Sequence, residues 1–211
     1  MTLRAAVLGG GAWGTALASV LARNGHSVVL WAREPEVVEG VNREHRNPVF
    51  LPEVTLPAGL RATDDLPTAL EGAELLVNAV PAQFVRSVWE RARVTRGDVL
   101  VVSASKGIEN GSLKLMNQVL EEVLPPVLHP RIAVLSGPSF AAEVARGVPT
   151  AVSIACGDPG LAEELQRIFS GPTFRAYTHD DLVGVELGGA LKNVIALAAG
   201  ISDGLGFGHN S

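Results

Sequence analysis

Ala5-Ala6-Val7-Leu8-Gly9-Gly10-Gly11-Ala12-Trp13-Gly14 is the stretch whose reading decides the fold. Four apolar residues predict a buried strand, and Gly9 to Gly14 match G-x-G-x-x-G. An apolar-periodic run from Trp13 to Asn24, closed by Asn24-Gly25, predicts a helix directly after the glycines. In that setting the first glycine, Gly9, permits a tight turn. The second, Gly11, lets backbone approach a pyrophosphate, and Gly14 lets the helix pack close on the strand. Ala12 and Trp13 lie at the start of the helix region, where free N–H groups and a positive dipole end suit phosphate. The expectation is a dinucleotide-binding turn.

Outward from that turn, short apolar runs alternate with amphipathic ones. Strands are predicted at Val28–Trp31, Leu75–Val80, Val99–Ser103, Ile132–Leu135, Thr150–Ala155 and Phe174–Tyr177. Helices are predicted at Pro35–Arg46, after Pro81 through Arg93, at Ser112–Val123, from Ser139, and at Pro159–Phe169. The proline-rich segment Asn47–Pro57 reads as a surface loop. Near-continuous apolar strands separated by helices predict an α/β, Rossmann-type, mostly parallel sheet with helices on both faces. The register changes near His179, giving a dinucleotide-binding domain over 1–179. Residues 180–211 read as the first helix of an α-helical second domain.

Composition narrows the function. Hydrophobic residues make up 47% and charged residues 18%, with a formal net charge of -5, so a globular core is expected and a nucleic-acid surface is not. Cys156 is the lone cysteine, which excludes an intrachain disulfide and a cysteine-cluster metal site, and fits a reducing, cytoplasmic setting. His26, His45, His129, His179 and His209 lack ligand spacing, so no metal is expected. No signal peptide is read at the amino terminus. No apolar stretch reaches the ~20 residues of a membrane span free of charges or turn formers, so no membrane insertion is expected.

Cofactor preference is read from the end of the second strand. An acid there would bind an adenine-ribose 2′-hydroxyl; Ala32-Arg33 stands in its place. The Arg33 guanidinium suits a 2′-phosphate, favouring NADP over NAD, while the neighbouring Glu34 could restore the NAD role. Two lysines invite chemistry. Lys106 follows a strand at the carboxyl edge, where open α/β sheets bind ligands. Lys192 lies in a nearly uncharged stretch, Val185–Ala199; apolar surroundings would lower its pKa toward a proton-shuttling range. Asn193 could orient the substrate or that lysine. Gly137-Pro138-Ser139 predicts a turn in which Ser139 caps the next helix. Gly188 and Gly189 would let their helix pack close to the reacting groups.

Four ordered motifs are now in view: Gly9 through Ala18, Ala104-Ser105-Lys106-Gly107, Ser136 through Ala141, and Leu187-Gly188-Gly189-Ala190-Leu191-Lys192-Asn193-Val194. Together they closely resemble the bacterial NAD(P)-dependent glycerol-3-phosphate dehydrogenases, over essentially the whole chain. The resemblance implies reduction of dihydroxyacetone phosphate to sn-glycerol 3-phosphate for phospholipid synthesis, by a homodimer. It implies Lys192 as the catalytic acid/base, Lys106 in contact with cofactor and substrate, Gly137 and Ser139 on the substrate, and Ala141 on the cofactor. Members of that family continue into a helical domain with an aspartate and a Ser-Arg-Asn segment absent here, so a truncated chain is expected. Two alternatives remain: another Rossmann hydroxyacid or hydroxyacyl dehydrogenase, and a non-catalytic cofactor-binding fragment.

Overall fold

The computed structural model describes residues 2–208. Met1 and His209-Asn210-Ser211, the last three assigned above to the second domain, lie outside the described residues. The strands are β1 (Arg4–Leu8), β2 (Ser27–Trp31), β3 (Arg61–Thr63), β4 (Leu75–Asn78), β5 (Leu100–Ser103), β6 (Ile132–Ser136), β7 (Thr150–Cys156) and β8 (Phe174–His179). The helices are α1 (Ala12–Arg23), α2 (Pro35–Glu39), α3 (Leu66–Leu70), α4 (Val85–Ala92), α5 (Met116–Val123), α6 (Ala141–Arg146), α7 (Pro159–Phe169) and α8 (Leu182–Gly204).

One eight-stranded sheet runs in the order β3-β2-β1-β4-β5-β6-β7-β8. Strand order reverses between β1 and β4, so their carboxyl ends diverge and open a crevice beside the glycine turn. Every residue of β4, β5 and β6 is buried, as expected of strands covered on both faces. One apolar cluster on one face gathers α1, α7 and the loop after α2; a second gathers α3, α4 and α5 on the other. All neighbours pair parallel except β6 and β7, which pair antiparallel. The cause lies in the connection: α6 has six residues, about 9 Å of helix, too short to carry the chain back across the sheet.

Several predicted elements differ. The helix from Pro35 ends at Glu39 and widens into a π-helical turn over Gly40–Glu44, closed by His45 in the left-handed region. Gly40 permits this, because a β-carbon there would lie 2.9 Å from the Arg46 carbonyl oxygen and against the Pro48 ring. The proline-rich segment is not a surface loop throughout: Asn47, Leu51, Val54 and Leu56 are buried. The short β3 and α3 that follow it lack enough apolar residues to announce themselves by periodicity. α5 starts at Met116 rather than Ser112, because residues Ile108 to Leu115 close a bridge of their own. α6 starts at Ala141 after Phe140, so Ser139 is not its cap.

α8 is long and apolar but is interrupted by Glu186, Lys192 and several glycines. By length and composition it is a helix long and apolar enough to cross a membrane, with a mean hydropathy of 1.5 and only 6% of that window buried. It carries Glu186 and Lys192, and its start packs on β6 and β7. Leu191, Val194, Ile195, Leu197 and Ile201 are all exposed along it.

Candidate functional site

The carboxyl ends of β1, β4, β5 and β6 bring four turns together: Gly9–Gly14, Ala79–Pro81, Ala104–Lys106 and Gly137–Ser139. A cleft of about 530 Å³ opens there, lined by Gly9, Gly11, Ala12, Trp13, Gly14, Arg33, Lys106 and Ser139. Gly9 adopts φ +117, and a β-carbon on it would sit 2.6 Å from the Ala79 carbonyl oxygen. A β-carbon on Gly14 would overlap the Gly9 carbonyl oxygen. At Gly11 a β-carbon would meet nothing within 4 Å, so the space above this glycine is open to a ligand. The three glycines thus differ: Gly9 and Gly14 are confined by contact, and Gly11 faces open space. Gly11 also precedes α1, a 12-residue helix with no side-chain cap and no acid in its first turn. Its leading N–H groups stand at the cleft with no acid in their own turn. The arrangement fits a diphosphate.

A residue missed by sequence reasoning braces the turn from below. Asn47, fully buried, donates to the Gly10 carbonyl and to Thr15 Oγ1, both at 2.8 Å. Its own Oδ1 accepts from the backbone N–H groups of Val49 and Phe50, which sets Phe50 against the cleft wall. Its signal was faint: an Asn-Pro pair usually marks a turn, not a core bond. Arg91 of α4 also lines the cleft, as does Arg33. The Arg33 side chain is 79% exposed and pairs with Glu34 at 3.4 Å, so both groups considered for cofactor choice stand side by side at the cleft.

Lys106 is the best-held cation of the site. Its Nζ donates to the Gly137 carbonyl at 3.2 Å and to Ser139 Oγ at 3.3 Å. It lies 5.3 Å from the centre of the Trp13 ring, whose Nε1 donates to the Ala104 carbonyl at 3.1 Å. One contact set therefore joins the glycine turn, the end of β5 and the turn after β6. Burial lowers the Lys106 pKa, and the like charge of Lys192 lowers it further. Behind Lys106, Arg86 bonds Glu109 through two nitrogens and also reaches Glu122, which anchors the Ile108–Leu115 turn. The Arg86 and Ser112 bonds hold the Glu109 carboxyl down at about 2.

The other expected residues divide. Gly137 lies close enough to the lysine to accept its hydrogen bond, and a β-carbon there would crowd Val152 at 3.0 Å. Ala141 opens α6 outside the cleft lining. Lys192 and Asn193 also stand outside that lining, on α8. Lys192 is exposed in this chain, and the uncharged residues around it in sequence project from α8 away from the sheet. Of the two glycines before it, Gly189 makes the close approach, against Ser136 Oγ, while Gly188 faces open space.

Comparison with known proteins agrees with this geometry. Residues 4–162 match the family model described as NAD-dependent glycerol-3-phosphate dehydrogenase N-terminus, and 181–211 match that of its C-terminus. A glycerol-3-phosphate dehydrogenase [NAD(P)+] of Nitratidesulfovibrio vulgaris is 56% identical over 99% of this chain, covering 63% of its own length. One from Koribacter versatilis is 52% identical over 99% of this chain and 62% of its own. A crystal structure of the Coxiella burnetii glycerol-3-phosphate dehydrogenase superposes with a TM-score of 0.87 at 39% identity, over 99% of this chain and 63% of that one. The chain thus spans about 63% of the length of the first of these curated relatives. Matched over three quarters of its length by one family model and over its last 31 residues by the companion model, it belongs to the NAD-dependent glycerol-3-phosphate dehydrogenase family.

Proposed function

We propose that this chain is the dinucleotide-binding part, and the start of the substrate domain, of a cytoplasmic enzyme that reduces dihydroxyacetone phosphate to sn-glycerol 3-phosphate for glycerophospholipid synthesis. The observation that carries the reading is the contact set around Lys106, which ties the glycine turn to Gly137 and Ser139 while feeling the charge of Lys192. Gly9, Gly11, Ala12, Trp13, Gly14, Arg33 and Ala141 would hold NADP or NAD, with Arg33 favouring NADPH through the 2′-phosphate. The domain boundary falls between β8 and α8, dividing the chain into 1–179 and 180–211.

The bound dihydronicotinamide supplies a hydride to the carbonyl carbon of the substrate. As that bond forms, the carbonyl π pair moves to oxygen, and a proton must reach the resulting alkoxide. Lys192 gives that proton and takes it back in the reverse direction. Lys106 stays charged beside the oxygen and the phosphate, opposing the negative charge that develops. Gly137 and Ser139 fix Lys106 and meet the substrate, and Asn193 orients it from α8. The exposed apolar side of α8 would be covered by the rest of a helical domain, for which the relatives have the extra length. A homodimer is part of the same reading and rests on the family resemblance.

The test uses the full-length protein, NADPH and dihydroxyacetone phosphate, with absorbance at 340 nm as the readout. The parent should consume NADPH. Lys192→Met should lose turnover by about 10³-fold while binding NADPH as before. Equal rates in the two proteins would contradict the assignment of Lys192.

A further inference from the structure

We propose that Glu186 is a positioning residue: its carboxyl group, supplied by α8, caps the amino end of α5 and so holds Lys192 beside Lys106. A helix start needs acceptors for its leading N–H groups. α5 begins after Leu115, whose side chain has none to offer. Gln118 Oε1 serves the Leu115 N–H at 3.0 Å. The Asn117 N–H instead donates to Glu186 Oε1 at 3.0 Å, across 69 residues of sequence, and the Met116 N–H also acts on that carboxyl.

Glu186 is 2% exposed, and among the described residues it is the one acidic or basic side chain that is buried. Burying a carboxyl group is costly unless its bonds repay the lost hydration. Only part of that compensation is present, because Glu186 Oε2 and Asn117 Oδ1 are both buried without partners. A protonated Oε2 is a donor and can satisfy an acceptor where an ionised one cannot. Burial drives the carboxyl up to about 7, the two backbone N–H groups oppose that rise, and the charge of Glu121 on α5 adds to it.

The second hold is steric. Gly189 lies three residues on, on the same side of α8. A β-carbon there would overlap Ser136 Oγ at the end of β6 and sit 3.7 Å from Lys106 Cγ. α8 is therefore pinned twice, by Glu186 on α5 and by Gly189 on β6. Lys192 follows one turn later, near enough for its charge to act on Lys106. A shift of α8 at Glu186 would carry Lys192 with it.

The catalytic consequence rests on the function proposed above, but the placement can be tested without turnover. In the full-length protein, ¹³C-dimethylated lysines report their own titration by NMR, with Lys106 and Lys192 assigned from Lys→Arg variants. Lys192→Met should raise the Lys106 pKa by removing a like charge. Glu186→Leu should raise it comparably, because Lys192 moves away. Loss of a nearby negative charge alone would instead lower it, so the sign separates placement from direct electrostatics. Glu186→Gln keeps an acceptor for the Asn117 N–H and adds a donor, and should leave Lys106 close to its original titration. Should the leucine variant not fold, Glu186→Asp, one methylene shorter, should also raise it.

In turnover, Glu186→Leu should lower kcat by about 100-fold with unchanged NADPH affinity, and Glu186→Gln should restore most of it. A Lys106 titration that responds to Lys192→Met but not to Glu186→Leu or Glu186→Asp overturns the proposal. So does one that does not respond to Lys192→Met. Correct lysine titrations in a protein that never reduces dihydroxyacetone phosphate would refute the enzymatic reading alone.

Discussion

The glycine turn and α8 both border the crevice, yet they are built on opposite principles. At the turn the pattern is local: three glycines, one strand end and one helix start lie within ten residues, and distant residues, Ala79 and Asn47, only close in on it. On α8 almost nothing is local. Glu186 finds its partner on α5, Gly189 presses on β6, and Lys192 acts on a lysine 86 positions earlier while itself exposed. A site made of backbone shape can be read from spacing, because shape follows from residue type. A site made of side-chain environment depends on which distant elements pack together.

That contrast is tested most severely at Gly14. Gly14→Val would drive a branched side chain into the Gly9 carbonyl. It should cost about 3 kcal/mol in urea unfolding and abolish NADPH binding by calorimetry. A stable variant that still binds would show that the turn is less locally determined than its contacts imply.

The α8 side makes a prediction in pH. The Glu186 carboxyl stands at about 7 in the folded protein against 4.5 for the ordinary group. Between those values the folded state keeps a proton that the unfolded chain has released. The contribution of Glu186 to stability is therefore fully present below about 4.5 and is lost as pH rises through about 7, a change on the order of 3 kcal/mol. Glu186→Gln cannot ionise and should remove that decline, read as a flatter Tm against pH between pH 5 and 8. Parallel curves for the two proteins would mean that the carboxyl is not held in its neutral form.

The smallest effect belongs to the surface of the cleft. Arg33 is largely exposed, so its bond to a 2′-phosphate is screened by solvent. Arg33→Ala should weaken NADPH binding by about tenfold and leave NADH unchanged. Equal losses for both cofactors would remove the 2′-phosphate role and leave Glu34 as the group that reads the ribose.

Legibility in the sequence follows the same division. The alternation of apolar strands with helices, the glycine turn and the placement of Lys106 at a strand end could all be read in advance, since each rests on periodicity or on a short motif. Asn47 could not, because only the fold shows that a loop asparagine reaches under Gly10. The π-helical turn at Gly40–Glu44 escaped for a similar reason: Pro48 and Arg46, which fold back onto Gly40, are what shape it. What surrounds Lys192 cannot be read from α8 alone, since its uncharged neighbours project outward along this helix. Glu186 carried a signal that could have been read, a lone carboxylate six residues before Lys192 in an apolar helix. What it binds could not.

The most direct test is a crystal structure of the full-length protein soaked with NADPH. The account predicts the diphosphate over Gly11, Ala12 and Trp13 at the start of α1, with the nicotinamide directed toward Lys106. A saturating soak that leaves this cleft empty, or fills it with the diphosphate away from α1, would contradict it.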